Sequence, residues 1–329
     1  MDVKVRRCGI IGPILFLFAF SLMIFPKIGL TADYPNRPIN LIIQFVPGTT
    51  TDIVLRKLAD VVSKELGQPV VPINKPGGGG TIGVAELARS APDGYTIGGI
   101  NMPTLTINPH MQTVPYDPLK DISHLCVIMP YEYGIYVSGD APWKSFEEFA
   151  EHARKNPGKV TYGTPGVGNT SHLLMVELGK KLGLDWRHVP YKGDGEMMPA
   201  VMGGHITCGV GSPAALLPNI KAGKLKLLVV TSKSRWPYLP AVPTLLESGY
   251  GISQNSYLSL GLPANTPEEI RGRLENIFRK VLQDPVLNKQ FNDEFFATLE
   301  YMSSQEYKKT IEEQYLFYKD FLKNIGITK

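Results

Sequence analysis

The chain is 329 residues long, 43% hydrophobic and 19% charged, with 34 basic and 30 acidic residues for a net charge of +4. That length supports two modest hydrophobic cores or one large one. Beyond the first seven residues no Lys/Arg cluster offers itself to a phosphate backbone, which argues against nucleic-acid binding. Six histidines and three cysteines, scattered without HExxH or CxxC spacing, give little support to a metal site.

Residues 1–32 read MDVKVRRCGIIGPILFLFAFSLMIFPKIGLTA. Lys4, Arg6 and Arg7 precede an uncharged apolar run from Cys8 to Pro26, and small residues lead to Ala32, which is the order of a secretory signal. The run falls short of the roughly 20 residues that a spanning helix prefers, and Pro13 interrupts it. Leu30 and Ala32 suit cleavage before Asp33, so export is expected; an uncleaved N-terminal anchor is the rival reading. Removing the segment takes Lys4, Arg6, Arg7, Lys27 and Asp2, leaving 297 residues with 30 basic and 29 acidic groups. Cys126 and Cys208 remain, both in apolar, strand-like stretches, and two buried free thiols are the preferred reading over a disulfide.

From Pro38 onward strand-like and helix-like pieces alternate. PINLIIQFV has strand length and runs into the turn-prone PGTTT. Val54, Leu58, Val61, Val62 and Leu66 then recur at helical spacing, with a Thr/Asp pair at the start and Gly67 at the end. VVPIN is the next strand. KPGGGGTIG forms a loop before a short helix near Val84–Ser90, and DGYTIGGIN reads as another strand. Further on, Ser145 and Glu148 have capping-box spacing before a helix. KVTYGT is a strand, PGVGNTS a loop and HLLMVELGKKLG a helix. HVPYKG, HITCGVGS and KLKLLVVTS read as strands. Thr266, Pro267 and Glu269 suit a cap, a first-turn proline and a capping box for TPEEIRGRLENIFRKVLQD, and a last helix fits SSQEYKKTIEEQYLFYKDFLKN. The alternation predicts an α/β fold with parallel sheets covered by helices on both faces.

Ligands of such folds bind where loops leave the carboxyl ends of strands, beside helix N-termini. PGTTTD follows the first strand and TPGVGNTS follows the strand at 160–163. Each combines glycine with hydroxyl or amide side chains at a helix start, which suits an anion held without a fixed positive charge.

Several features have plainer readings. The glycine run Gly77–Gly80 lacks the GK[ST] ending of a phosphate loop and the GxGxxG register of a dinucleotide site, so it reads as a packing and turn element, and no cofactor is expected. Asp52 suits a first-turn charge that also stiffens its loop. His172 reads as a buried structural histidine bonded to the glycine loop, since no serine lies in a GxSxG elbow. Among the aromatic residues, Phe45 and Tyr133 are candidates for lining a cleft.

The ordered series YPNRPINLIIQFVPG, NKPGGGGTIG, APDGYTI, GVGNTSHL, HVPYKG, MGGHI, AGKLKLLVVTS and VPTLLESGY resembles the periplasmic solute-binding proteins of tripartite tricarboxylate transporters, the Bug proteins. The match runs from about Tyr34 to the C-terminal helix. It implies a type II-like, two-lobed Venus-flytrap with parallel-rich sheets, in which residues 33–130 and 230–329 form one lobe and 131–229 the other. It also implies a periplasmic, monomeric carrier of a small organic acid to a membrane permease, and it leaves di- and tricarboxylates, aromatic acids and amino acids open. By position, the ligand would meet Gly48, Thr49, Thr50, Thr51 and Asp52 in one lobe. In the other it would meet Thr164, Gly166, Gly168, Asn169 and Thr170. Thr49 and Thr50 stand where the family is richer in glycine, and Asn169 where serine is commoner. Asp194 replaces a small neutral residue; facing the cleft it would favour a ligand with an amino group or hydroxyls, and otherwise it suits an N-cap. An exported α/β enzyme using the same loops as an oxyanion site, or a flytrap sensor, is the alternative.

Overall fold

A computed structural model describes residues 34–254 and 256–327. The signal-like segment 1–32 and its cleavage point lie outside the described residues.

Two mixed sheets organise the chain. The first contains β1 (Ile39–Ile43), β2 (Val70–Asn74), β3 (Thr96–Asn101), β4 (Ile122–Tyr131), β10 (Ser256–Pro263) and β11 (Met302–Ser303), in the order β11-β4-β10-β3-β1-β2. The second contains β5 (Gly134–Ser138), β6 (Val160–Thr164), β7 (Trp186–Pro190), β8 (Cys208–Gly211) and β9 (Leu225–Val230), in the order β7-β6-β8-β5-β9. The helices are α1 (Thr50–Leu66), α2 (Thr81–Arg89), the short α3 (Pro103–Thr106) and α4 (Asn108–Met111), α5 (Phe146–Lys155), α6 (Thr170–Leu182), α7 (Asp194–Met202), α8 (Pro213–Lys221), α9 (Glu268–Leu282), α10 (Pro285–Phe295) and α11 (Ser304–Asn324).

Among the named strands parallel pairing is confined to the β–α–β stretches: β1 with β2 and β3, and β6 with β7 and β8. β10 runs antiparallel to both β3 and β4, and β5 antiparallel to both β8 and β9. The cause is the route of the chain. β4 ends at Tyr131 and β5 begins at Gly134, so β5 enters the second sheet from the edge at which β6 and β8 finish. β10 re-enters the first sheet from the same side.

The chain does not leave the second sheet at residue 230, where the sequence suggests. Trp236, 1% exposed, packs with Tyr136 and Val230 on one face, while Leu245 and Ile252 join Phe146 and Leu174 on the other. First-sheet structure resumes at Ser256. Each sheet is thus covered on both faces, and a smaller cluster of Ile107, Leu173, Tyr318 and Leu322 joins the junction of α3 and α4 to α6 and α11.

Local signals act much as the residues predict, with two differences. Thr49 and Ser145 cap α1 and α5, and Gly67 ends α1 with φ of 67°. α9 is not capped by Thr266: Pro267 is its N-cap residue, and the Thr266 hydroxyl donates to the Pro263 carbonyl at 2.8 Å. The capping box belongs instead to Ser303 and Glu306 at α11.

Cys126 lies in the first sheet and Cys208 in the second; both are buried and unpaired, and burial pushes both thiols well above their ordinary pKa. A thiolate is the reactive form. Alkylation followed by peptide mass spectrometry is therefore expected to leave both cysteines unmodified in native buffer and to modify both in denaturant; labelling of either in native buffer would contradict this packing.

Candidate functional site

The loop after β1 is braced by a single carboxylate. Asp52, 3% exposed, accepts the Gly48 N–H at 3.0 Å, the Arg56 Nε–H at 2.9 Å and the Asn74 amide at 2.8 Å. Asn74 also donates to the Phe45 carbonyl at 2.9 Å, so both ends of the loop are tied to one point. Burial alone would raise the Asp52 pKa; hydrogen bonds from Arg56, Asn74 and Gly48 outweigh it and hold the carboxyl below 3.8. Thr49 caps α1, and Thr51 hydrogen-bonds the Tyr131 hydroxyl.

The loop after β6 has its own internal bracing. The Thr164 hydroxyl donates to the Gly166 carbonyl at 2.8 Å and lies 2.7 Å from His188 Nε2, from which it accepts. Asn169 caps α6 by accepting the His172 N–H at 2.8 Å, while its amide donates to the Pro165 carbonyl. His172 Nδ1 accepts the Gly168 N–H at 3.0 Å, the structural role its position suggests. The two imidazoles stack with centroids 4.0 Å apart, and Tyr162 stacks on His188. Burial, then the neighbouring His172, pushes the His188 pKa down to about 4.

A cavity of ≈ 500 Å³ lies between the second loop and the segment that follows β3. Phe45 and the predicted Gly168, Asn169 and Thr170 are on its wall, as is Tyr133. Gly48, Thr49, Thr51, Asp52, Thr164 and Gly166 are not; they shape the loops from behind. Thr50 borders a separate, smaller cavity of ≈ 60 Å³ with Tyr131 and Ser212. Asp194 also stands off the wall. It is the first residue of α7 rather than its cap, which is Gly193, and its carboxyl packs over Gly211 beside Tyr136 with Oδ1 unpartnered. Burial pushes this carboxyl up to about 6, against the lowering effect of the Ser212 N–H.

Other wall residues are absent from the sequence reading. Gly78 and Gly79, read as a turn, contribute, and so do Asn101 at the end of β3 and Thr104, Asn108 and Gln112 beyond it. The strand-end rule that picks out PGTTTD applies equally to the end of DGYTIGGIN and would have found Asn101–Thr104. Ser171 lies on the wall, but its hydroxyl donates to Asn169 Oδ1 at 3.0 Å and no base contacts it, so nothing activates it as a nucleophile. Among the described residues no side-chain cluster has the make-up of a metal site.

The two halves touch across the cavity. A Cβ built on Gly168, whose φ is +72°, would lie 2.1 Å from Met111 Cε. Gly168→Ala is expected to lower stability by about 1–2 kcal/mol from the left-handed backbone alone. Met111→Ala in the same chain should recover any further loss due to the contact, and thermal melts of the single and double variants measure both parts. A second expectation concerns the stacked histidines. Above pH 6.5 His188 is neutral folded or unfolded; between 6.5 and 4 the unfolded chain binds a proton that the folded protein refuses, so this site loses stability as pH falls. His188→Gln should therefore show a flatter melting-temperature profile than the wild type from pH 6.5 to 4, and parallel profiles would refute it.

Comparison with known proteins gives one family. The family model described as tripartite tricarboxylate transporter family receptor matches residues 54–327. A Cupriavidus necator protein, described as a UPF0065 protein in the gbd 5' region, is 38% identical over 311 residues, covering 94% of each chain. The solved structure of the periplasmic binding protein BugD is 30% identical with a TM-score of 0.75, covering 90% of this chain and 100% of its own. R. palustris Rpa4515, solved with adipate, is 28% identical with a TM-score of 0.79, covering 90% and 99%. With its two-sheet architecture and the cavity between strand-end loops, the chain belongs to the receptors of the tripartite tricarboxylate transporter family, among the Bug-type proteins.

Proposed function

We propose that the protein is an extracytoplasmic receptor that captures a small organic carboxylate between two lobes and delivers it to a tripartite-type membrane permease. The observation that carries this is the cavity itself: both sheets contribute strand-end loops to its wall, and an N-terminal helix end, that of α6, opens onto it. In this reading the elements of each sheet move as one lobe, hinged where the chain passes through Glu132–Tyr133 and back before Ser256. The ligand sits against Phe45, Gly168, Asn169 and Thr170, while Gly48–Asp52, Thr164 and Gly166 hold the two loops in shape. The adipate bound to the R. palustris relative supports a carboxylate as ligand.

Catalysis finds no support in the same residues. The Ser171 hydroxyl donates its hydrogen bond to Asn169 Oδ1, and His172 and His188 are engaged with the Gly168 N–H and the Thr164 hydroxyl. The basic, apolar start of the chain supports export with cleavage after Ala32. No helix among the described residues is long and apolar enough to cross a membrane. The protein acts as a monomer in this scheme.

The test is thermal melting of the purified protein against mono-, di- and tricarboxylates, aromatic acids and amino acids. A ligand that binds only the folded form stabilises it by RT ln(1 + [L]/Kd), about 2.7 kcal/mol at a hundredfold excess over Kd. The expected result is a saturable rise with at least one carboxylate, which mass spectrometry recovers chemically unchanged. Turnover of that compound, or no rise with any carboxylate, would overturn the reading.

A further inference from the structure

Glu132 lies in the short link between β4, which ends at Tyr131, and β5, which begins at Gly134. It borders the smaller cavity of ≈ 60 Å³. Thr50, Pro130 and Ala297 line that cavity from the side of the first sheet, and Ser212, Ala214 and Trp236 from the side of the second. The Glu132 side chain is therefore set in the seam along which two lobes would part.

This seam gives the carboxyl nothing to pair with. Among the described residues its oxygens make no hydrogen bond and no ion pair, and no Lys, Arg or His lines the cavity. Glu300, on the segment after α10, faces it with a second negative charge. Tyr238, on the segment after β9, also faces it, with its hydroxyl committed to the Asn292 carbonyl at 2.7 Å. Tyr131 and Tyr133 flank it in the chain, and the starts of α1 and α8 bring only Thr50, Ser212, Pro213 and Ala214 to the cavity. Burial, then Glu300, pushes the Glu132 carboxyl up to about 7.

Asp194 is placed differently. Its carboxyl packs over Gly211 and beside Tyr136, both strand residues of the second sheet, so its proton bears on one lobe alone. An ionised Glu132, by contrast, is a partly desolvated charge without a counter-charge between two lobes. A proton relieves it; so does parting the lobes, which wets the carboxyl.

We propose that Glu132 couples closure to a proton: the closed receptor holds this carboxyl neutral, and its ionisation drives the lobes apart. The proton comes from solvent and returns to it, so ligand capture takes up as much as one proton and release gives it back. This rests on the reading of the protein as a two-lobed receptor hinged at Glu132–Tyr133. Above pH 7 both forms are ionised. As pH falls from 7 to the ordinary 4.5 of an open, wetted carboxyl, only the closed form gains the proton. The ratio of closed to open molecules then rises about tenfold per pH unit.

The test is small-angle X-ray scattering of the purified, ligand-free protein from pH 8 to 5, in wild type, Glu132→Gln and Asp194→Asn. Wild type is expected to contract as pH falls, Asp194→Asn to follow the same curve, and Glu132→Gln to be contracted throughout. A wild-type radius of gyration that is constant over this range overturns the proposal without recourse to any variant. A pH response that survives in Glu132→Gln, or is lost in Asp194→Asn instead, overturns it too. Scattering at pH 8 with each carboxylate of the melting panel separates the two readings. Contraction by a carboxylate but not by pH overturns the proton link and leaves the receptor reading intact; contraction by neither overturns both.

Discussion

The chain passes from the first sheet to the second at Glu132–Tyr133 and is back in the first sheet at Ser256, with both passages at the same edge. The carboxyl ends of β1 and β3 therefore face those of β6 and β8, and the segments that follow β3 and β6 share one cavity with Phe45 after β1. The same route makes β5 and β10 antiparallel to their neighbours. It also keeps residues 231–254 with the second sheet, where Trp236, Leu245 and Ile252 bury their side chains.

Within that frame the two facing loops achieve rigidity by different chemistry. The first is drawn together by a buried, fully partnered carboxylate, Asp52, whose contacts with Arg56, Asn74 and Gly48 favour its charged form. The second is held by neutral groups: a Thr164–His188 hydrogen bond, the Asn169 cap and two stacked imidazoles kept uncharged by burial.

The contact across the cavity depends on a glycine. Gly168 accepts both a left-handed backbone and the Met111 side chain against its Cα, and any larger residue there would have to displace Met111. On the flank, Leu173 of α6 packs with Ile107, Tyr318 and Leu322, so α11 bears on elements of both sheets. Opposite, Tyr238 donates to the Asn292 carbonyl at 2.7 Å and packs edge-on against Phe296.

By itself the sequence determined the elements that local physics controls. Hydrophobic period, caps and glycine stops mark α1, α5, α6 and most strands, and the strand-end loops PGTTTD and TPGVGNTS are legible as a site because glycine, hydroxyl and amide side chains at helix starts have few other uses. The ordered motifs also carry the family. What only the tertiary structure decided depends on neighbours distant in the chain. Asp52 turns away from the cavity because Asn74, 22 residues on, offers it an amide. Asp194 lies over Gly211 because that glycine leaves room for its carboxyl. Asn101, Asn108 and Gln112 reach the cavity because β3 happens to end beside it. Side-chain direction at a strand end is set by packing across the sheet, and no local signal in the chain encodes it.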